Sequence, residues 1–336
     1  MANCNGCLKD NIDGFCSACE TKLFDRSKVT SQLRFNWNDI QDRIMGQPAG
    51  FSISGVQPKG FIGRDKNNLL APNRAIESMY IIKPFLDTRR TLYNDSPANE
   101  HLTMTMANQL FNISTAKCAL VKFENGEPAY LTRRFDRDTE GNALGQEDFV
   151  SVLNVVSGIN DHGLYKYNSF TYEDVGNRLN PTDQISFIRI LVFNFLTGNG
   201  DVHLKNISLL ESKDGDMLLS PSYDLMNTKL HINDPQIAMN LFKEKERTKQ
   251  GLLTTTYDYK IQDFIELGKR IGVRDRLLIP IEKEFRAAKT NMLLLVDKSF
   301  LSDAGKLKYK EVVELHHNQL FNLPNHTIHN NTLYTP

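Results

Sequence analysis

The chain has 336 residues, more than a single hydrophobic core usually holds, so its length predicts two packed lobes and a small additional segment. Forty basic and forty acidic side chains give a formal net charge of zero, which argues against a dedicated nucleic-acid-binding protein. The longest apolar stretch, residues 185–196, is too short to span a membrane and contains Arg189. We therefore expect a soluble, cytoplasmic protein without a signal peptide.

The first nineteen residues hold four of the five cysteines, in two Cys-x2-Cys pairs with eight residues between them. The four are Cys4, Cys7, Cys16 and Cys19. This clustering excludes a disulfide framework across the chain and fits a reducing compartment. Four thiolates at this spacing are typical of a tetrahedral Zn2+ site, whereas a redox motif would be a single pair beside a βαβ unit. The sequence predicts a zinc-ribbon-like segment over residues 1–25, with a structural or partner-docking role.

Residues 26–145 have the pattern of a small, mainly β lobe. A helix is predicted over residues 100–111, where apolar side chains recur at helical spacing after a plausible start at Ser96 and Pro97. Strand-like segments, separated by Gly, Asn, Asp and Pro, lie at residues 51–54, 79–82, 118–121 and 129–131. This part of the chain therefore predicts a sheet with one helix beside it.

Residues 146–320 have helical character, and residues 321–336 have the composition of a disordered tail. Residues 181–196 are apolar nearly all round, which is typical of a helix at the buried centre of a lobe, with Asn180 as its cap. Further helices are predicted at residues 147–156, 263–271, 276–296 and 307–320. The whole pattern predicts an α+β, bilobal protein with a mainly β N-lobe and a mainly helical C-lobe.

The loop after the buried helix carries the most informative spacing. Asp201 and Asn206 lie five residues apart, as in protein kinases, where the aspartate accepts the proton of the attacking hydroxyl and the asparagine ligates Mg2+. Asp224 supplies the second metal carboxylate, after strand-like segments at 207–210 and 217–219. Taken alone, the loop is also an ordinary turn rich in Asn, Gly and Asp. The helix before it, the hairpin after it and Asp224 favour phosphoryl transfer.

Upstream, residues 51–59 place small and hydroxyl side chains, including Ser54 and Gly55, where backbone amides suit phosphates. A surface hairpin explains that pattern equally well. Lys83 ends a strand and is a candidate for binding the α/β-phosphates, with Glu100 as its carboxylate partner. A solvated lysine and a stabilising acidic residue in a first helical turn are the simpler interpretations of these two.

His203 stands two residues after the candidate base. In that position its ring either donates a hydrogen bond to the γ-phosphate or bonds a backbone carbonyl as a structural histidine. The sequence leaves both interpretations open.

Seven motifs occur in the order seen in HipA-type serine/threonine kinase toxins, and the resemblance covers residues 51–320. The motifs read SISGVQPK, IIKP, NEH, RRFDR, QEDF, GNGDVHLKN and SPSYDL. The resemblance implies a protein-kinase-like bilobal fold that uses ATP and Mg2+. It also implies a HipB-like DNA-binding antitoxin as partner, and growth arrest through phosphorylation of a translation component such as an aminoacyl-tRNA synthetase.

The resemblance also assigns roles by position. Asp201 resembles the catalytic base and Lys83 the phosphate-binding lysine, while Asn206 and Asp224 resemble the magnesium ligands. The remaining nucleotide-site candidates are Phe135 and the backbone near Arg133, which resemble the adenine-binding hinge, and Gln146. Ser52 resembles the loop serine that family members autophosphorylate to shut off ATP binding, and Ser54 is a second hydroxyl within reach. Added charge beside the ATP phosphates would repel them, so such a switch is physically reasonable.

Two features depart from the family pattern. Only about fifty residues precede the phosphate loop, where full-length members carry an additional subdomain, so the chain resembles a short form. The resemblance then implies that a separate small protein can supply the missing part. The second departure is the cysteine cluster.

Two other functions are compatible with parts of the sequence. A catalytically weak kinase-fold module would act only by binding in an antitoxin and DNA repressor complex, but Asp201, Asn206 and Asp224 are all intact. A metallohydrolase would use Asp201, His203 and Asp224 as ligands, but no further His or carboxylate cluster completes the set. The sequence favours an ATP-dependent serine/threonine kinase that does not bind nucleic acid directly.

Overall fold

The computed structural model describes residues 3–45, 58–65, 70–74, 78–156, 163–242 and 258–322. Within them, an antiparallel five-stranded sheet forms the N-lobe. In spatial order its strands are β2 (Leu70–Pro72), β1 (Gly60–Arg64), β3 (Tyr80–Lys83), β5 (Pro128–Arg133) and β4 (Cys118–Lys122). Three of the predicted strands are thereby confirmed as β3, β4 and β5, whereas the one expected at residues 51–54 lies outside the described residues.

The side chains of β4 alternate between two apolar cores, as the two-residue period of a strand requires. Leu120 joins the core that the helix α3 (Ser96–Phe111) and the C-lobe share, whereas Ala119 and Val121 join a second core on the other face. The helix expected over residues 100–111 is confirmed. It begins four residues earlier than predicted, with Pro97 in its first turn, and is buried along most of its length.

The second core holds the N-terminal segment against the sheet. Cys4 and Cys19, together with Leu23 and Phe24 of the helix α1 (Ser17–Phe24), pack with apolar residues of β3, β4 and β5. A further helix, α2 (Trp37–Met45), follows in chain order. The cysteine segment therefore shares its core with the N-lobe. The domain limits at residues 25, 145 and 320 stay predictions.

The C-lobe surrounds the helix α7 (Pro181–Thr197), which confirms the predicted buried helix. Asn180 Oδ1 accepts hydrogen bonds from the Thr182 and Asp183 amides, so its side chain caps the helix as expected. Gly198 ends it at φ +69°, and a Cβ there would lie 2.6 Å from Val312 Cγ1. The other helices are α4 (Phe149–Val152), α5 (Tyr165–Asn168), α6 (Tyr172–Gly176), α8 (Ile261–Arg270), α9 (Asp275–Ala287), α10 (Lys289–Lys298) and α11 (Asp303–Leu320).

Two helix predictions were wrong in extent. The helix expected over 147–156 is reduced to α4, because Gln146–Asp148 forms a strand, β6, paired with β7 (Ser208–Glu211), and Asn154 adopts a left-handed φ of 52°. The helix expected over 276–296 is two helices, α9 and α10, joined at Ala288, whose amide bonds to the carbonyl of Phe285.

The strands β6, β7 and β8 (Met217–Leu219) form a second antiparallel sheet, which confirms the hairpin predicted after the Asp201–Asn206 loop. Among the described residues, no helix is long and apolar enough to cross a membrane. The expected tail begins at Phe321 and Asn322, and its remaining residues, 323–336, lie outside the described part of the chain.

Candidate active site and cysteine cluster

Lys83, Glu100 and Asp224 form a network of ion pairs at the junction of the lobes. Lys83 is 5% exposed at the end of β3, and its Nζ donates to Glu100 Oε1 at 2.7 Å and to Asp224 Oδ1. Burial by itself would lower the pKa of Lys83, but the two carboxylates outweigh burial and raise it. Burial raises the pKa of Glu100 to about 7 despite the nearby ammonium group. The lysine and glutamate that the sequence proposed as partners are thus brought together, with Asp224 as a third member.

Asp224 is held in an unusual backbone conformation, with φ at 55°, in the left-handed region that non-glycine residues seldom occupy. The preceding residue is anchored, since Tyr223 donates its hydroxyl to the Lys205 carbonyl at 2.9 Å. Burial favours the neutral form of Asp224, but the charges of Lys83 and Lys59 and the hydrogen bond from Lys83 lower its pKa. Asp224 is therefore an ionised carboxylate directed toward two ammonium groups.

Lys59 is a site residue to which the sequence reasoning gave no role. Burial lowers its pKa, and its charge interacts with those of Asp224, Lys83 and Glu100. The structure therefore places a second cation beside the ion-pair network. The only sequence signal was its position in the motif SGVQPK, which suggested the family but no function for the lysine.

The candidate catalytic loop follows Gly198 and is shaped by its own hydrogen bonds. The carbonyl of Asp201 accepts from Asn206 Nδ2 at 2.7 Å and from the His203 amide at 2.9 Å. Asn206 Oδ1, the amide atom suited to bind a metal ion, lies outside this bond. The aspartate and the asparagine are thus fixed relative to each other. Burial raises the pKa of Asp201, and the negative charge of Asp224 adds to that rise.

His203 is a buried neutral base that faces Asp201. Its Nδ1 accepts a hydrogen bond from the Lys205 amide at 3.3 Å, which leaves the ring proton on Nε2, 3.6 Å from Asp201 Oδ1. Burial, and then the positive charge of Lys166, lower the pKa of His203 to about 4. The Lys205 backbone amide therefore anchors the ring, and a hydrogen bond from His203 to the γ-phosphate stays a prediction.

Tyr167 is a second site residue without a sequence prediction. It lies on α5, and its hydroxyl donates a hydrogen bond to Asp201 Oδ1. Its ring packs edge-on against the ring of His203, with a centroid distance of 4.9 Å. Asp201 thus accepts a hydrogen bond from a side chain more than thirty residues away in sequence.

The structure describes some of the residues predicted to bind the nucleotide, and it places their side chains in different surroundings. The ring of Phe135 lies 5.5 Å from that of Tyr223, next to Asp224. Gln146 donates to Ser208 Oγ at 2.9 Å across β6 and β7. The side chain of Arg133 instead binds Asp25 Oδ1 at 2.6 Å, so only its backbone remains a candidate. The phosphate-loop candidates Ser52, Ser54 and Gly55 lie outside the described residues.

The cysteine cluster has the geometry of a metal site. The four sulfur atoms of Cys4, Cys7, Cys16 and Cys19 all lie within 4.8 Å of one another, and none is in a disulfide. Tetrahedral zinc with bonds of about 2.3 Å would separate its sulfurs by about 3.8 Å, and the sulfurs of Cys7 and Cys16 are 3.7 Å apart. The two Cys-x2-Cys pairs form a first knuckle, Cys4 to Cys7, and a second knuckle, Cys16 to Cys19. A Cβ on Gly6 would lie 2.7 Å from Cys19 Sγ, so only glycine fits between the two knuckles. The donor set therefore fits Zn2+.

The cysteine cluster contacts the helix that carries Glu100. The carbonyl of Gly6 lies 3.3 Å from His101 Nε2, and Gln109 Nε2 donates to the Cys7 carbonyl at 2.8 Å. Asn5 exchanges hydrogen bonds with Leu120 of the edge strand β4 through both its side chain and its backbone. The first knuckle is therefore attached both to α3 and to the edge strand β4.

Comparison with known proteins shows which family this chain resembles. Residues 51–292 match the family model described as the HipA-like C-terminal domain. A putative kinase of Haemophilus influenzae is 25% identical over 290 residues, which cover 81% of this chain and 82% of that protein. The serine/threonine-protein kinase toxin HipA of Shewanella oneidensis is 26% identical over 257 residues, 70% of this chain and 54% of the toxin.

A third relative, the putative kinase Y4dM of Sinorhizobium fredii, is 34% identical over 215 residues, 58% of this chain and 50% of that protein. The chain thus spans about half the length of two of these three relatives. Among solved structures, HipA of Shewanella oneidensis in its complex with HipB and operator DNA aligns with a TM-score of 0.59. That alignment has 19% identity and covers 86% of this chain and 72% of the toxin, and it shows that the predicted kinase-like bilobal fold is correct.

Proposed function

Because the chain belongs to the family of HipA-like C-terminal domains, we propose that it is an ATP-dependent serine/threonine kinase that phosphorylates a protein hydroxyl. The observation that carries this proposal is the network of Lys83, Glu100 and Asp224 beside the loop that bears Asp201 and Asn206. Kinases need a buried lysine held by a carboxylate, a metal-binding aspartate, and a base and asparagine on one loop. Kinase-like relatives support the same class of enzyme.

Each residue of the network has a role that follows from its charge. Lys83 and Lys59 would bind phosphate oxygens, and Glu100 holds the Lys83 ammonium group in place. Asn206 and Asp224 are the oxygen ligands that would hold Mg2+. Bound Mg-ATP supplies the transferable γ-phosphoryl group. Asp201 accepts the proton of the attacking hydroxyl.

Our proposals for the regulation and the partners of this chain come from its resemblance to the family. We propose that phosphorylation of Ser52 or Ser54 places negative charge beside the ATP phosphates and lowers ATP affinity. The solved HipA of Shewanella oneidensis is complexed with HipB and operator DNA, which supports a HipB-like partner for this chain. A small separate protein that supplies an additional N-terminal subdomain, and an aminoacyl-tRNA synthetase as substrate, are the remaining expectations.

We further propose that Cys4, Cys7, Cys16 and Cys19 hold one structural Zn2+ ion. The metal would close a segment that has few apolar residues of its own, and would keep the first knuckle against α3 and β4. Metal analysis of purified protein should give about one zinc per chain. Cys16→Ser should lose it, and Cys118→Ala, which removes a buried cysteine outside the cluster, should keep it.

The kinase proposal is tested by intact-mass analysis of dephosphorylated protein after incubation with Mg-ATP. The parent should gain the mass of phosphate, mapped to Ser52 or Ser54, and Asp201→Ala should not. Asp214→Ala, in the exposed turn between β7 and β8, is the matched control and should behave as the parent. If the parent neither gains mass nor binds ATP in calorimetry, the kinase proposal fails and the binding-module alternative replaces it.

A further inference from the structure

The side chain of Asp201 makes a contact that has no part in the catalytic roles proposed for the site residues. Its backbone is fixed within the loop, where its amide bonds Asn199 Oδ1 at 3.2 Å and its carbonyl accepts from Asn206. These backbone bonds do not fix the carboxylate group, which can still rotate about the Cα–Cβ and Cβ–Cγ bonds. The side-chain contact comes from Tyr167, whose hydroxyl donates to Oδ1. We propose that Tyr167 is a positioning residue for the catalytic base, holding the Asp201 carboxylate so that Oδ2 receives the proton of the acceptor hydroxyl.

The proposal rests on the kinase function argued above and on the geometry around Oδ1. The Tyr167 hydroxyl and His203 Nε2 both face this one oxygen, the imidazole nitrogen at 3.6 Å. The two rings pack edge to face at 81°, so each limits the movement of the other. Within the described residues, the contacts of the carboxylate are concentrated on Oδ1. Oδ2 is therefore the oxygen left for an acceptor.

Tyr167 is itself held in place by its helix and by a neighbouring charge. Its amide bonds the Leu164 carbonyl at 2.9 Å, and the Lys166 ammonium group lies 5.0 Å from the centre of its ring. The phenol thus approaches Asp201 from an ordered turn on a different part of the C-lobe. A hydrogen bond to an ionised group is among the stronger ones in proteins, so this contact can fix the orientation of a side chain that is 46% exposed.

The hydrogen bond from Tyr167 also affects the pKa of Asp201. Burial raises the pKa of Asp201, while the Tyr167 hydrogen bond and the positive charge of Lys166 oppose that rise. Removal of the hydroxyl should therefore raise the pKa further, so that less of the base is ionised at a given acidic pH. The charged and titratable groups that face Asp201 are Tyr167 and Lys166 from α5, His203 from its own loop, Asp224, and Asp234.

Two other roles for Tyr167 predict different results. If the Tyr167 hydroxyl instead occupied the position of the acceptor hydroxyl, it would compete with the substrate. Its removal would then lower KM and raise the rate. As an acceptor, the tyrosine oxygen would form a bond to the γ-phosphorus while the bond from that phosphorus to ADP breaks, and Asp201 would take the phenolic proton. Phosphate would then be found on Tyr167.

The test compares Tyr167→Phe with Tyr165→Phe, a control on the same short helix. Phosphorylation of dephosphorylated casein, used as a generic acceptor, is measured as kcat and KM from pH 5 to 9. Tyr167→Phe should lower kcat about tenfold with KM little changed, because a hydrogen bond to a charged group is lost. The acidic limb of its kcat profile should move to higher pH. The control should match the parent.

Three results would overturn the proposal: unchanged kcat and pH profile in Tyr167→Phe, a faster variant with lower KM, or phosphate mapped to Tyr167 in the parent. If the parent phosphorylates neither casein nor itself, the kinase function fails. The positioning bond is then decided by NMR of carboxyl-labelled aspartate at neutral pH, with Asp201 assigned through Asp201→Asn. An Asp201 carboxyl chemical shift that is the same in parent and Tyr167→Phe would refute the bond itself.

Discussion

The helix α3 contacts two clusters of chemically active side chains that are built in different ways. Glu100 reaches the ion-pair network at the junction of the lobes, and Gln109, nine residues later, bonds the first cysteine knuckle. At about 100° per residue these two positions face opposite directions. The cysteine cluster draws its four ligands from residues 4–19, whereas the Lys83–Asp224 pair joins residues 141 positions apart.

The ion-pair network depends on the whole fold, whereas the cysteine cluster depends mainly on a short segment of the chain. The cysteines are neighbours in sequence, so a short segment brings them together once a metal repays the ordering of the chain. The ion-pair network exists only when β3, α3 and the segment after β8 are all in place. His101 follows Glu100 directly and contacts the knuckle, so one helix connects the local site to the non-local one. We expect the local site to support the non-local one.

The largest expected effect comes from Lys83→Met, which leaves Glu100 buried without its cation. Kinase activity should fall about 1000-fold, because a charge that binds phosphate is lost. The free energy of unfolding should fall by about 3–5 kcal/mol, the usual result of breaking one side of a buried pair. Activity assays and urea denaturation at pH 8 measure the two effects.

The double variant Lys83→Met/Glu100→Gln separates stability from catalysis. Without the buried negative charge it should recover part of the lost stability and none of the activity. Equal instability of the single and double variants would show that Glu100 is not the group left unpaired.

A smaller effect concerns pH and Glu100, whose pKa is raised to about 7 by burial. A carboxyl group with a raised folded-state pKa stabilises the fold below its unfolded value, about 4.3. That contribution is lost as the pH rises through 7, up to about 4 kcal/mol. ATP affinity should change in the opposite sense, because ionised Glu100 holds Lys83. Denaturant unfolding from pH 4.5 to 8 should be flatter for Glu100→Gln, and an unaltered profile would contradict the raised pKa.

Removal of zinc tests the link between the two clusters. Chelation should raise the ATP dissociation constant about tenfold, because α3 loses the knuckle that holds it. Hydrogen exchange should become faster in residues 96–111 and in β4, while α7 in the C-lobe stays protected. Cys118→Ala treated with the same chelator serves as a control for the buried thiol outside the cluster. Chelated protein with unchanged ATP affinity and exchange would show that the two sites are independent.

The smallest effect is expected for Gln109→Ala, which removes one hydrogen bond to the Cys7 carbonyl. The bond lies at an exposed position, so the free energy of unfolding should fall by about 0.5–1.5 kcal/mol. Zinc content should be unchanged. Asn108→Ala, on the same helix but bonded to the Ile113 carbonyl, tests whether the effect is specific to the knuckle. An unchanged free energy of unfolding in Gln109→Ala would refute the contribution of this contact.

Much of the fold was predictable because it depends on local signals. The Asn180 cap and the apolar run after it defined α7, and Gly198 marked its end. The same reasoning failed over residues 147–156, because the backbone of Gln146–Asp148 pairs with β7, which lies some sixty residues later. The helical propensity of these residues was outweighed there by hydrogen bonds to a distant strand, which no local sequence pattern predicts.

The candidate site shows the same division. Lys83, Glu100, Asp201, Asn206 and Asp224 were identified from order and spacing, and the structure joins the first two with Asp224. Lys59 and Tyr167 were missed, because a lysine in a loop and a tyrosine on a short helix have no signature of their own. Their roles come only from the charges and oxygens that they face.

The sequence by itself determined the bilobal α+β architecture, the buried helix of the C-lobe, the four-cysteine cluster and the order of the kinase motifs. The first three follow from residue periodicity or from spacings of a few residues, which short-range geometry translates directly into structure, and the motif order comes from the resemblance to a known family. The tertiary structure alone decided that the cysteine segment packs on the sheet and on α3, that Lys83 bonds both Glu100 and Asp224, and that Tyr167 contacts Asp201. Those contacts join distant parts of the chain, and only the packing of the two cores brings them within bonding distance.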